Sequence, residues 1–302
     1  MKHKPILFVM WVLLGAGGCQ PTETSQTETA EPKRVYTTNY PLYYMTERMV
    51  PANVSVHFPV SGSQDPAYWQ PSADTIASMQ QADLIITNGA SYEQWMLTVS
   101  LPDQKIINTT AALKDQLLES DEVITHSHGD EGEHEHLGTA ITTWMDLELA
   151  LAQAGAIRDA LIKLTPEDEA FIEQQYQELA ADLTTLDQRL SEAAAKISQQ
   201  VAYSHPVFQY FQQAYQLDGA SLHWEPDEKL TGQQLHDLEH LMEHQSIVLM
   251  IWEAAPLPEN IQKLQEIGVK SIVINPMGNV PEQGDWLEGL NQNLAALEGL
   301  IE

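Results

Sequence analysis

The feature that most constrains the fold is a long amphipathic segment in the middle of the chain, residues 165–197. It opens with Thr165-Pro166-Glu167-Asp168, which combines a capping hydroxyl, a proline suited to the first helical position and acids favoured by the helix dipole. Apolar residues then recur in steps of four and three, which places them on one stripe of a helix. They are Ile172, Tyr176, Leu179, Leu183, Leu186, Leu190, Ala193 and Ile197. About 32 residues at 1.5 Å each predict a helix roughly 48 Å long.

This helix is interpreted as an intramolecular backbone, because the segments on both of its sides have the pattern of α/β halves. Short apolar runs at 35–38, 54–58, 84–86 and 105–107, and again at 201–203, 220–222, 247–251 and 271–274, are separated by helical stretches. That alternation predicts parallel sheets. The expected fold is α/β, with a lobe at 34–150, linking helices at 151–200 and a second lobe at 201–302. A coiled-coil dimer is the alternative that the spacing allows, but we expect a monomer.

The N-terminus has the pattern of a targeting segment. Lys2 and Lys4 precede an apolar run at residues 6–18 that is too short to span a bilayer. Small residues then lead to Cys19, the only cysteine in the chain, as at a bacterial lipoprotein processing site. We expect a signal peptide at 1–18, lipidation of Cys19 and a polar tether at 19–33. The alternative is an ordinary secretory signal with a chance cysteine. Either way the protein is expected at the periplasmic or extracellular face of a bacterial membrane, in the first case held by its lipid alone.

The charge balance excludes one class of partner. Lys and Arg number 14 against 43 Asp and Glu, a formal net charge of −29. Because phosphates would be repelled, the chain is not expected to bind nucleic acid. The charge is compatible with a cationic ligand.

Imidazole and carboxylate groups follow the predicted strands of the second half. They occur in His205-Pro206, His223-Trp224-Glu225, Trp252-Glu253 and Asn275-Pro276. Ligands of open α/β sheets bind beyond the carboxyl ends of strands, and these groups are the ligands that divalent transition metals prefer. His205 with Glu253 is the favoured pair, and His223 is a further candidate. Any one of them could instead be a helix cap or a loop residue.

A polar segment at 121–138 interrupts the α/β pattern. It carries His126, His128, His134 and His136 among acids and glycines. We expect a loop that contributes at least one ligand to a bound metal. A low-affinity scavenging loop and a plain polar loop are the alternatives.

A second histidine pattern resembles the inverted zinc-protease signature. His236-Asp237-Leu238-Glu239-His240 fits H-x-x-E-H, and the five residues from His240 to His244 fit it again. On a helix, however, the leucines define the buried face and the histidines point to water. A catalytic zinc needs a third ligand and a shaped cavity, so an exposed face is favoured over an accessory surface metal site, and both over a metallohydrolase. The chain is interpreted as a binding protein, not an enzyme.

Several motifs together resemble the zinc and manganese ABC-transporter solute-binding proteins. They cover nearly all of residues 34–300 in order. They are Thr37-Thr38-Asn39-Tyr40-Pro41-Leu42, Asp65-Pro66 before Gln70-Pro71-Ser72, Ala82-Asp83-Leu84 leading to Asn88-Gly89, Trp144-Met145-Asp146, Ser204-His205, Glu225-Pro226, and Gly268-Val269-Lys270 leading to Asn275-Pro276. The resemblance implies two α/β lobes joined by the long helix, one metal ion in the cleft between them and an ABC permease as partner.

The metal positions depart from the pattern of that family. Ala67 and Thr142 stand where the family usually has histidine, and Asn275 stands where it has aspartate. His205 and Glu253 match. The expected ligands are therefore His205 and Glu253, completed by loop histidines, with a weak carbonyl oxygen from Asn275. Zn²⁺ is favoured over Mn²⁺. The rival interpretation is a binding module of the same fold that has lost its metal and recognises another ligand or a protein partner.

Overall fold

Two parallel β-sheets of four strands each organise the described part of the chain. The structure is a computed structural model that describes residues 31–62, 64–127 and 133–300, with side chains except those of 121–137. The predicted signal peptide, Cys19 and His128 lie outside the described residues. None of the helices in the described ranges is both long enough and apolar enough to cross a bilayer.

The first sheet has the strand order β2-β1-β3-β4, with every neighbouring pair parallel. Its strands are β1 (Lys33–Thr37), β2 (Val54–His57), β3 (Leu84–Thr87) and β4 (Ile106–Asn108), and its helices are α1 (Tyr40–Met49) and α2 (Ala73–Gln80). Asn39 and Ser72 cap the two helices by accepting bonds from Leu42 N and Thr75 N. The helical stretch predicted between β3 and β4 is instead a short 3₁₀ turn, Gln94–Thr98, because the apolar stretch there has no side-chain cap and too few residues for a stable α-helix.

A β-hairpin occupies the segment predicted to be a polar loop. Its strands are β5 (Glu119–Ser127) and β6 (Glu133–Thr139), paired antiparallel with His126 opposite His134 and Ile124 opposite His136. The loop prediction was therefore wrong for the backbone of these residues. The signal it missed is the run of three β-branched residues Val123-Ile124-Thr125, which favours a strand and which the many surrounding charged residues obscure.

Two helices join the halves, as the predicted linking helices require, but the long one begins at Glu169 and not at Thr165. They are α3 (Leu147–Leu164) and α4 (Glu169–Ala194), separated by a 3₁₀ turn at Pro166–Asp168. Thr165 does not cap α4 as expected. Its hydroxyl donates back to Leu161 O at 3.2 Å, so it closes α3, and Pro166 opens the turn. Ile197 also lies beyond the end of α4. At 1.5 Å per residue, the 26 residues of α4 span about 39 Å rather than 48 Å.

The second sheet has the order β10-β9-β7-β8, again all parallel. Its strands are β7 (Gln200–Tyr203), β8 (Gly219–Ser221), β9 (Ile247–Trp252) and β10 (Lys270–Val273), and its helices are α5 (Gln209–Tyr215), α6 (Gly232–Met242), α7 (Pro258–Glu266) and α8 (Trp286–Glu298). In both sheets the first strand lies between the second and the third, with the fourth outside the third. The two halves therefore share one topology, as the alternating pattern predicts.

The stripe of α4 is buried within this chain. It packs on α1 and α3 on one side and on α5 and α8 of the second half on the other. Leu179, Leu183, Leu186 and Leu190 are all at most 3% exposed, in one hydrophobic core that includes residues of both sheets. Because the stripe is occupied by intramolecular contacts, it offers no seam for a coiled-coil dimer.

Candidate metal centre

Three side chains with metal-binding atoms meet where neighbouring strands of the second sheet end. His205 follows β7, Glu225 follows β8 and Glu253 follows β9. Their ligand atoms all lie within 4.8 Å of one another, and His205 Nε2 is 3.5 Å from Glu225 Oε1. The strands are adjacent in the order β9-β7-β8, so their carboxyl ends bring the three groups to one point.

Ser204 aligns the three donor segments. This fully buried residue donates its N–H to Ile251 O at 2.9 Å, and its carbonyl accepts from Trp224 N at 2.8 Å. Its hydroxyl oxygen accepts from Glu253 N at 3.2 Å. One residue thus bonds to the segment before Glu225 and to the segment that carries Glu253, while it directly precedes His205.

The electrostatics of the cluster favour a cation. Burial raises the pKa of Glu253, the nearby His205 lowers it, and the charges of Glu225 and Asp65 raise it further. A carboxyl group whose charge is disfavoured by burial and by two other carboxylates is stabilised when a positive ion neutralises the group.

The cluster lies on the wall of a cleft of about 930 Å³ between the two halves. The opposite wall includes Asp65, Ala67, Tyr92 and Trp144 from the first half. Trp144 Nε1 donates to Pro276 O at 2.6 Å, which connects the two walls. The side chain of Ala67 has no atom that could bind a metal. Its backbone N–H donates a hydrogen bond to Asp65 Oδ1 at 2.9 Å.

Thr142 has a role other than that of the histidine it replaces. Its hydroxyl donates to Val207 O at 2.7 Å, so it holds the loop after His205 against the first half. The structure therefore assigns this hydroxyl to a bond between the halves.

The other predicted ligands take different positions. His223 is exposed, and its ring lies 5.6 Å from that of His205, edge to face, outside the three-residue cluster. Asn275 lines the cleft, but its side-chain oxygen accepts from Met277 N at 2.7 Å. The backbone register of the hairpin includes His126, His134 and His136, whose side chains are outside the description. The base of the hairpin reaches the cleft, since Ser120 and Thr139 line it.

Glu225 is the donor that the sequence-based ligand set omits. Its position in the loop after a strand, four residues beyond the end of β8, is the available signal, of the same kind as the one that identifies His205 and Glu253. It was missed because its neighbour His223 is the stronger metal ligand by residue type. In the structure it is Glu225 that belongs to the cluster, whereas His223 lies beside it.

The histidines of α6 are exposed, as the helical pattern predicts. His236, His240 and His244 face solvent, while Leu238 is fully buried. None of the three lines the cleft that holds the His205 cluster.

Comparisons with known proteins agree with this architecture. The family described as zinc-uptake complex component A, periplasmic (ZnuA) matches residues 35–299. The high-affinity zinc uptake system protein ZnuA of Bacillus subtilis is 27% identical, over 97% of this chain and 95% of that protein. The zinc-binding lipoprotein AdcA of Streptococcus pneumoniae is 25% identical over 87% of this chain. The chain spans only 55% of the length of AdcA.

Solved structures share the fold. The metal-dependent lipoprotein YcdH from Bacillus subtilis superposes with a TM-score of 0.73 at 22% identity, covering 88% of this chain and 98% of that one. Zn(II)-bound AdcA from Streptococcus pneumoniae also gives 0.73, at 23% identity, covering 89% of this chain and 57% of that one. With two sheets of this topology, a three-donor cluster in the cleft between them and a family match over residues 35–299, the chain belongs to the ZnuA family of zinc-uptake binding components.

Proposed function

We propose that the protein is an extracytoplasmic binding protein that captures a divalent transition metal, with Zn²⁺ favoured over Mn²⁺, and delivers it to an ABC importer. The observation that carries the proposal is the cluster of His205, Glu225 and Glu253. One imidazole and two carboxylates supply three protein ligands, which leaves a fourth position open. The role is one of binding, and no catalytic step is assigned to it.

The distances in the cluster suit zinc. Tetrahedral zinc with bonds of about 2.0–2.1 Å separates neighbouring ligand atoms by about 3.4 Å. The separation of His205 Nε2 and Glu225 Oε1 is 3.5 Å. Because Ser204 holds the three segments in place without a metal, little reorganisation is required when the ion binds.

The histidines of the hairpin are proposed for the remaining position. Ser120 and Thr139, at the base of the hairpin, line the cleft, so His126, His128, His134 and His136 belong to a segment that begins and ends at the cleft. His223 and Asn275 are proposed as further ligands, since the ring of His223 lies beside that of His205 and Asn275 lines the cleft.

The partner and location are proposed from the relatives. AdcA is named a zinc-binding lipoprotein and the Bacillus subtilis ZnuA a component of a zinc uptake system. By analogy we propose attachment through a lipid on Cys19, an ABC permease as the recipient of the metal, and a monomeric state.

The test is zinc titration calorimetry of His205→Ala. Loss of the only imidazole in the cluster should weaken zinc binding by about 100-fold or more, since losing even an outer-shell partner of a metal ligand costs 10–100-fold. His236→Ala is the matched control, because it removes an exposed imidazole that is not part of the cluster.

Two results would contradict the proposal. A dissociation constant for zinc no lower than micromolar in the wild-type protein would argue against a role in zinc transport. Equal affinities of His205→Ala and His236→Ala would show that the metal binds elsewhere, and would favour the rival interpretation of a cleft that recognises another ligand.

A further inference from the structure

A second group of metal-binding side chains lies at the end of α6, on the outside of the second half. His240, Glu243 and His244 are all exposed, and their ligand atoms lie within 4.8 Å of one another. The rings of His240 and His244 have centroids 5.5 Å apart.

The helix geometry produces this arrangement. Residues four apart lie on the same face of a helix with Cβ atoms about 5–6 Å apart. His240 and His244 have the spacing by which two histidines of a helix bind zinc, and although α6 ends at Met242, the chain continues the helical bonding there, since Gln245 N–H donates to Leu241 O at 2.9 Å. Glu243 lies beside His244 at the helix end, where its N–H still donates to Glu239 O at 3.2 Å. All three residues therefore belong to one ordered helical turn.

This group is separate from the cluster in the cleft. The cleft donors follow the carboxyl ends of β7, β8 and β9, whereas residues 240–244 directly precede the amino end of β9, which begins at Ile247. The six residues of β9 at about 3.3 Å each place the two ends of the strand roughly 16 Å apart. One ion cannot bridge such a distance.

We propose that the end of α6 and the turn that follows it form a second site for a divalent transition metal of the zinc class, bound by His240, Glu243 and His244. Two imidazoles and one carboxylate favour Zn²⁺ over Mg²⁺ or Ca²⁺, which prefer all-oxygen sites. Because the three side chains are exposed, water occupies the open positions and the ion exchanges with solvent. The site does not depend on the cleft being a zinc site.

The test compares the double variant His240→Ala/His244→Ala with His236→Ala in the full-length protein. His236 is an exposed histidine on the same helix but outside the group. Both variants are made in the wild-type background and in a His205→Ala/Glu253→Gln background, which removes donors of the cleft. All three α6 histidines are exposed, so stability should change by less than about 0.5 kcal/mol.

The first readout is zinc bound per chain in equilibrium dialysis against Zn²⁺ alone. His236→Ala should keep the full amount in both backgrounds, and the double variant should lose about one equivalent in both. The second readout is hydrogen exchange at residues 243–245. A metal that joins His240 to His244 clamps the last turn, so zinc should slow exchange there about tenfold in His236→Ala and not in the double variant.

Equal zinc content and equal exchange in the two variants would overturn the proposal. Such a result would leave the cleft site unaffected, because the comparison is made within each background. Conversely, a cleft that fails to bind zinc would not alter the difference between the two α6 variants.

Discussion

At the scale of single residues, the candidate centre depends on Ser204 as much as on its donors. The three donor residues come from three strands, and each sits in a loop with little regular structure of its own. Ser204 uses its N–H, carbonyl and hydroxyl to connect these segments. A rigid support of this kind is what keeps ligand atoms near their bound positions before the ion arrives.

Glu253→Gln is expected to stabilise the metal-free protein at neutral pH. The pKa of Glu253 is raised in the folded state, chiefly by burial. The folded state therefore binds more protons than the unfolded state, and stability falls as pH rises through the interval between the two pKa values. Glutamine removes this penalty, so the melting temperature with chelator should rise by about 1–2 °C at pH 7 and not change at pH 3.5.

With zinc the wild type should have the higher melting temperature. Zinc binds the wild type through Glu253, whereas the variant lacks that ligand and gains less stability from the ion. The control is Glu239→Gln, which makes the same substitution at an exposed position outside the cluster. A Glu253→Gln protein that is less stable than wild type at pH 7 without metal would contradict the assigned charge penalty.

At the scale of elements, α4 connects the halves by packing and by polar contacts beside its stripe. Arg48 Nη2 of α1 lies 3.0 Å from Asp182 Oδ2, and Arg189 Nη2 lies 2.9 Å from Glu298 Oε1 of α8. These pairs are partly or largely exposed, and such pairs contribute little stability. The buried leucines therefore carry most of the energy of the connection.

Leu183→Ala should destabilise the protein strongly. The side chain is fully buried, so its truncation leaves a cavity and costs about 2–5 kcal/mol in the free energy of unfolding, measured by urea denaturation. Thr184→Ala, the next residue and exposed, should change it by less than about 0.5 kcal/mol. Similar effects of the two substitutions would mean that the stripe is not the packed face.

The hairpin is the element whose role in binding can be separated by deletion. Ser120 and Gly138 are paired, so replacing residues 121–137 by Asn-Gly closes the two strands with a two-residue turn. Loss of a histidine ligand should weaken zinc binding at the cleft by about 10–100-fold without abolishing it, because the three donors of the cluster remain and water can take the open position; calorimetry measures the change. Unchanged affinity would exclude the hairpin as a donor.

At the scale of the whole molecule, the two halves share one hydrophobic core. That core contains Val35 of the first sheet, Tyr203 of the second and the leucines of α4. The residues from Pro32 onwards accordingly form one compact unit. Hydrogen bonds across the cleft, such as those from Thr142 and Trp144, add to this connection.

We therefore expect the protein to unfold in one cooperative transition. Far-UV circular dichroism, which reports both sheets, and tryptophan fluorescence should give coincident urea curves, because the core around α4 contains residues of both halves. Leu183→Ala should shift both curves together. Two separated transitions would show that the halves are independent domains.

The sequence alone determined the local elements and the residue types of the site. Periodicity, caps and strand runs depend on neighbours within a few turns, which is why the α/β halves, the buried stripe of α4 and the exposed histidines of α6 are predicted correctly. The same local reasoning places His205 and Glu253 at strand ends. It failed at Thr165, which does not cap α4, and at the hairpin, where the many charged residues obscure a short β-branched run.

Only the tertiary structure decided which donors meet. Glu225 joins the cluster and the ring of His223 does not, although the two lie two residues apart. The difference arises from the order β9-β7-β8 and from the bonds of Ser204, which set the direction of each loop. Strand order and loop direction are fixed by contacts between residues distant in the chain, and no local pattern encodes them.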